Sequence, residues 1–469
     1  MVQPTLFFWL LVTRLGPHAY SQGAPDQENH PTSANLLAPP TFLNNSRFAF
    51  SLYRRMVAAN PGKNIIFSPL SFSIPFTLLA LQAGPAVCTQ VLEALGFPLA
   101  QVPGHGVHAH YSQRLLASLR SLAACQPHVG SILFVDERQH LAQRFVDIAQ
   151  NLYGTEVFLI PFGNKQVARE QMDHVASKMT HYEIRKLAQE LTPDTVLILA
   201  NYIFFKGMWK IHFDPKLTEI RPFSVREGVK VLVPMMQRPG WFQLQRFDHL
   251  HGYVLRLPCT CHATAVFILP DAGVCQKQRG GGDRPTPPDS GSSVKQDPRG
   301  FTSALKTGDP ALDSRQVQLR DPQPLQITKG CLAMRLLDSL HSVSAHHGPD
   351  SSSPCRRRLY FPKFTLSGTS QLEQFLPSMG MPGIFSYRAG ITGISLQSIT
   401  MKISRAVHRA ELTMDETGAE AEDTSAFRFL PRSHSPPFHF NRPFLLLMFK
   451  EGSGNLLFMG KVMNPIAKS

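Results

Sequence analysis

Eleven residues from Thr195 to Phe205, Thr-Val-Leu-Ile-Leu-Ala-Asn-Tyr-Ile-Phe-Phe, carry no charge and are rich in β-branched, aromatic and aliphatic side chains. A run of that kind suits a strand at the centre of a sheet covered on both faces, because a wet face would demand alternating polar positions. The rest of the chain must therefore supply material to cover two faces.

It does. Phe48, Leu52 and Met56 recur every four residues, which predicts an amphipathic helix over 48–57 that ends before Asn60-Pro61-Gly62. Asn64-Ile-Ile-Phe-Ser68-Pro69 reads as a short strand stopped by proline, and Ser71 as the cap of an apolar helix over 72–82. Further helical patterns fall at about 109–124, 140–152 and 166–181. Strand patterns occupy 229–236, 252–257, 263–269 and 359–366, and near the end 406–414, 444–449 and 455–462.

Two stretches stand apart. Residues 1–21 open with Leu6-Phe-Phe-Trp-Leu-Leu-Val12 and close on Ala19-Tyr20-Ser21, a short apolar core with a small-x-small ending. That is the pattern of a secretory signal, although lysine and arginine are missing ahead of the apolar core. Residues 22–45 are polar and proline-rich, a flexible arm carrying the sequon Asn44-Asn45-Ser46, with Asn44 the glycosylation candidate. Residues 273–357 hold Gly280-Gly-Gly282, Pro285-Thr-Pro-Pro288, Ser351-Ser-Ser-Pro354 and Arg356-Arg-Arg358, too little clustered apolar surface to fold alone. Within them only 331–343 has helical periodicity. A surface insertion and read-through of non-coding sequence both fit this composition, and its low complexity favours the second.

Seven cysteines leave at least one unpaired, and Cys259-x-Cys261 in an apolar alternating run is not zinc-ligand spacing. We expect the cysteines to be mostly free or buried. His105, His108 and His110 lie in a Gly/Pro-flanked loop without carboxylate or cysteine partners and read as surface histidines, so no metal is expected. Net charge is +14. Such a balance suits a polyanion such as heparin or another glycosaminoglycan, and equally suits solubility. The basic residues are scattered rather than stacked on one helix face, so no site is assigned. The chain contains no G-x-S-x-G elbow, no P-loop and no H-E-x-x-H, which argues against the commonest hydrolase and nucleotide-binding chemistries.

Seven segments resemble one known family and occur in its order. They are 64–71, Leu199-Ala-Asn-Tyr-Ile-Phe-Phe-Lys-Gly-Met-Trp209, Val233-Pro-Met-Met236, Phe267-Ile-Leu-Pro-Asp271, Phe361-Pro-Lys-Phe364, Phe440-Asn-Arg-Pro-Phe444 and Phe458-Met-Gly-Lys-Val-Met-Asn-Pro465. The family is the serpins, in the alpha-1-antitrypsin-like clade A. The resemblance implies an α+β fold over 46–469, with three β-sheets, eight or nine helices and an exposed reactive-centre loop at 416–440. It implies a serine-protease inhibitor rather than an enzyme, secreted, monomeric and without a cofactor. The expected partner is a trypsin-like serine protease, with a glycosaminoglycan as a secondary candidate; neither nucleic acid nor a membrane is expected.

Spacing along the loop matches alpha-1-antitrypsin without a gap, which places the bait bond at Arg432-Ser433 with Pro431 ahead of it. A guanidinium on an extended loop fits a protease pocket that holds a buried carboxylate. In this family the cut loop inserts as an extra strand into the largest sheet, and the steps from Gly418 to Arg432 span roughly 46 Å when extended. The hinge is Gly418, Ala419, Glu420, Ala421, Glu422, Asp423 and Thr424. Alternation turns Ala419, Ala421, Asp423 and Ser425 inward, and burying the Asp423 carboxylate unpaired is costly. The 273–357 segment departs from the family, which has a much shorter piece there, and a smaller departure is Tyr182, where the family commonly has glycine. Asp423 and the 273–357 segment keep a non-inhibitory carrier or a mere protease substrate open as the alternative.

Overall fold

The computed structural model describes residues 45–97, 107–120, 122, 125, 127–180, 191–248, 251–271, 355–397, 400–418 and 436–467. The run that opened the sequence argument becomes β4 (Leu197–Trp209). It lies third in a five-stranded sheet of order β10 (Phe364–Gln371), β11 (Arg405–Gly418), β4, β2 (His128–Asp136), β3 (Thr155–Ile160). Leu197, Leu199, Ile203 and Phe205 enter the main core, while Ile198, Ala200 and Tyr202 pack on the other face against Ala168, Met172 and Ala176 of α6 (Lys165–Met179). Both faces are dry, as the run requires.

A second sheet runs β1 (Ile65–Phe67), β14 (Leu456–Val462), β13 (Phe444–Lys450), β8 (Ala263–Pro270), β7 (Gly252–Pro258), β6 (Val229–Phe247). The 19-residue β6 continues into a third sheet with β5 (Glu219–Arg226), β9 (Cys355–Pro362) and β12 (Phe438–His439). The three sheets expected of the family are thus present, two of them sharing one strand. Six α-helices lie among the described residues: α1 (Ser46–Ala59), α2 (Pro69–Ala80), α3 (Pro85–Ala94), α4 (Val107–Arg120), α5 (Gln143–Tyr153) and α6.

Helix α2 is buried at every position, which its all-round apolar sequence demands. Its cap is Ser68 and not Ser71: the Ser71 amide donates to Ser68 Oγ (3.2 Å), and Pro69 takes the first helical position. Proline suits that position because its missing N–H is unsatisfied there anyway, so a residue that reads as a stop is a start. Helix α3 likewise begins on proline, after Gly84, and has no counterpart among the expected helices.

Three boundaries move. Asn45, expected in the arm, is fully buried, and its carboxamide exchanges two hydrogen bonds of 2.9 Å with the Leu456 main chain. Residues 355–357, expected in the low-complexity segment, pair with 240–242 as the start of β9. The loop drawn over 416–440 narrows, since β11 runs through Gly418 and β12 begins at Phe438.

The described cysteines are free or buried as expected, with one pair joined. Cys125 and Cys261 form a disulfide that closes a separation of 136 residues. Cys261 lies in the turn between β7 and β8, where the Cys259 amide bonds the Ala263 carbonyl (2.8 Å) and His262 adopts a positive φ of 51°. The Cys-x-Cys pair therefore straddles a turn instead of sharing one strand face, and Cys259 remains a buried free thiol.

Candidate functional site: the seam between β4 and β11

Strand β11 lies directly beside β4 in parallel, in register from Arg405 with Ile198 to Met414 with Gly207. Halfway along, His408 faces Asn201, and both are buried. The Ser68 amide donates to His408 Nε2 (2.9 Å), so Nδ1 carries the proton and donates to Asn201 Oδ1 (2.7 Å). That oxygen also accepts from Ser71 Oγ (2.9 Å). Asn201 Nδ2 donates in turn to the carbonyls of Ser71 (3.2 Å) and Gly130 (3.1 Å) and to Ser131 Oγ (3.1 Å).

The Ser71 carbonyl is available for a reason written in the sequence. In an uninterrupted helix it would accept the amide of residue 75, and residue 75 is a proline without one. Pro75 thereby frees an acceptor that Asn201 uses, tying α2 to the seam. Burial holds the His408 imidazole neutral, with its pKa lowered to about 3.

The end of the seam is clamped separately. Trp209 Nε1 donates to the Asp415 carbonyl (2.6 Å), and the Phe213 amide to the Glu416 carbonyl (3.2 Å). The Glu416 carboxylate accepts from Thr218 Oγ1 (2.8 Å) and Lys363 Nζ (2.7 Å). Burial alone would raise its pKa, but the Lys363 ammonium and Thr218 hydroxyl outweigh it and hold the carboxyl below its ordinary value. Asp415 is held low in the same way, burial opposing, by the Thr417 amide (2.9 Å) and Lys206 (2.9 Å). Gly418 closes the strand where only glycine fits: a Cβ would lie 2.6 Å from the Trp209 carbonyl oxygen and 2.9 Å from His212 Cα.

From Gly418 the chain next enters the described residues at Pro436, on a different sheet. The Pro436 carbonyl accepts from Arg357 (3.2 Å), β12 pairs with β9, and the Phe440 amide bonds the Tyr360 carbonyl (2.9 Å). The His439 ring stacks on Tyr360 at 4.4 Å, with Arg221 4.2 Å from the centre of the same ring. The expected loop is thus anchored at one end in the five-stranded sheet and at the other in the third sheet.

Of the sequence-derived site residues, Gly418 is described. Ala419, Glu420, Ala421, Glu422, Asp423, Thr424, Pro431, Arg432, Ser433 and Asn44 lie outside the described residues, as do Tyr182 and His105. His108 is not the loop histidine expected: it sits on half-buried α4, 3.0 Å from Gln82 Nε2 and 3.2 Å from the Tyr153 hydroxyl. Among the described residues no group of three or more His, Cys, Asp or Glu could hold a metal ion. The buried network of Ser68, Ser71, Asn201 and His408 and the Glu416 clamp have no local motif, and apart from an uncharged run interrupted by Asn201 nothing in the sequence marks them.

A family model described as Serpin (serine protease inhibitor) matches residues 43–279 and 334–465, leaving 280–333 unmatched. Alpha-1-antiproteinase 2 from Equus caballus is 34% identical over 95% of this chain and 94% of its own length. Alpha-1-antitrypsin from Sus scrofa is 32% identical over 94% of this chain and 90% of its own. Among solved structures, human thyroxine-binding globulin superposes with a TM-score of 0.67 at 26% identity, covering 90% of this chain and 98% of that one. Human glycosylated kallistatin does so with a TM-score of 0.67 at 27% identity, covering 90% and 97%.

Proposed function

The chain belongs to the serpin family, within its alpha-1-antitrypsin-like clade, and from that membership we propose that it is a secreted inhibitor of trypsin-like serine proteases with Arg432-Ser433 as bait. One observation carries the reading: β4 and β11 are parallel neighbours, and β11 ends at Gly418. A chain that turns back after Gly418 runs antiparallel to both, so once cut it can add a ladder of hydrogen bonds on each of its edges. To admit it, the strands must part from about 4.8 Å to about twice that spacing.

The protease supplies the chemistry. Its serine attacks the Arg432 carbonyl, the peptide bond to Ser433 breaks, and the amine leaves with the proton that the protease histidine delivers. An ester then joins Arg432 to the enzyme. Insertion that outruns hydrolysis of this ester carries the enzyme away from its working geometry. The Cys125–Cys261 disulfide supports the extracellular part of the reading, because such bonds persist in oxidising compartments.

Asp423 favours a second reading, a serpin that is cut without trapping its enzyme, and thyroxine-binding globulin among the structural relatives is named for carrying a ligand. Incubation with trypsin or thrombin followed by a denaturing gel separates them. A covalent adduct that disappears in Arg432→Ala supports inhibition. Cleavage after Arg432 without an adduct supports the second reading, and absence of cleavage there removes both.

A further inference from the structure

Behind the clamp lies a cleft of about 350 Å³ whose walls include both described tryptophans. Trp209 is buried and Trp241 is 59% exposed. The Arg238 guanidinium reaches in between the rings of Phe213 and Phe242, 5.1 and 4.9 Å from their centres. One nitrogen donates to the Ile211 carbonyl (2.5 Å). Among the described residues no carboxylate pairs with this guanidinium, which leaves most of its five donors without a protein acceptor. Burial lowers its pKa to about 10, so the surroundings disfavour its charge relative to water.

Arg256 and one carboxylate, Glu451, line the cleft as well, so its charged lining is two guanidiniums to one carboxylate, and Glu451 accepts from the Thr264 hydroxyl (2.8 Å). Ligand sites are typically concave and apolar, with a few placed polar groups and volumes from about 300 Å³ upward. Aromatic walls around a forked donor favour a flat apolar body that ends in a planar two-oxygen anion, which a guanidinium binds through paired hydrogen bonds.

We propose that this cleft binds a small aromatic carboxylate, with Arg238 holding the carboxylate and Trp241, Phe213 and Phe242 enclosing the ring. None of the hinge or bait residues is among the described lining residues, so the proposal can be tested without reference to protease inhibition.

The only tryptophan besides Trp209 and Trp241 is Trp9, so intrinsic fluorescence of the full chain reports mainly on the cleft. The probe is 2-naphthoate, compared with 2-naphthalenemethanol, which has the same ring and no charge. In the wild type, naphthoate is expected to change tryptophan emission saturably and to bind at least tenfold more tightly than the alcohol. Arg238→Met is expected to abolish that preference while leaving alcohol binding within about twofold. Trp241→Ala, a change at an exposed position, is expected to weaken both probes and keep their ratio. Equal affinity of acid and alcohol in the wild type, or no saturable signal with naphthoate, overturns the proposal without any variant having to fold. Retention of the preference in folded Arg238→Met overturns it as well.

Discussion

The imidazole of His408 and the carboxamide of Asn201 meet as register partners across two parallel strands, Nδ1 to Oδ1 at 2.7 Å. A strand that enters between β4 and β11 must separate them, so this hydrogen bond resists opening of the seam. Protonation would turn Nε2 from acceptor to donor against the Ser68 amide and bury a charge. The folded pKa of about 3 lies below the value of 6.5 for an unperturbed histidine, so the unfolded state binds more protons between the two. The stabilisation is complete above about pH 6.5 and is lost progressively as pH falls toward about 3. His408→Gln should lower the thermal midpoint at neutral pH and flatten its decline between about pH 7 and pH 4.5. Parallel pH curves for the two proteins would remove His408 as the source.

The Glu416 clamp should matter most where strand meets hinge. Glu416→Ala deletes the bonds to Thr218 and Lys363 together. Lys363 is 44% exposed, so solvent screens much of the charge attraction. We expect a loss of about 1–2 kcal/mol, read as a lower midpoint in urea. Lys363→Met, which keeps the Thr218 bond, should fall between wild type and Glu416→Ala.

In the proposed insertion, alternation would turn Asp423 into the sheet, so insertion speed should depend on it. Asp423→Ala is expected to raise the ratio of trapped trypsin to cleaved protein on a denaturing gel. Wild type cut at Arg432 should in turn resist heat better than the uncut form. An unchanged ratio argues against the hinge carboxylate as the brake, and an unchanged melting temperature after cutting argues against insertion itself.

Cysteine chemistry separates the staple from its neighbour. Cys261→Ser should cost about 2–4 kcal/mol, a loss that reductant reproduces in the wild type. Cys259, its thiol pushed up to about 12 by burial and by the Glu451 charge, should resist iodoacetamide in the folded protein and react once unfolded. Labelling of Cys261 instead of Cys259 in the oxidised protein would reverse the assignment.

What the sequence discloses follows from how local each signal is. The central strand β4 is legible because eleven consecutive residues must all be dry, and β13 and β14 for a similar reason. Proline misleads at Ser68-Pro69 because it can close a strand or open a helix, and the deciding bond, Ser71 to Ser68, is made only once the helix exists. The disulfide escapes notice because its halves are 136 residues apart. The seam is hardest of all. His408, Asn201 and Ser68 are unremarkable where they stand, and only the pairing of β11 with β4 brings them together.

The second sheet has a further consequence for biosynthesis. Strands β13 and β14, which follow every other described strand along the chain, sit between β8 and β1 and supply the hydrogen-bonding partners of both. Until they emerge from the ribosome, β1 and one edge of β8 have no mate. The growing polypeptide must therefore hold these edges open until β13 and β14 arrive, and a stop codon that removes both would leave β1 and that edge of β8 unpaired.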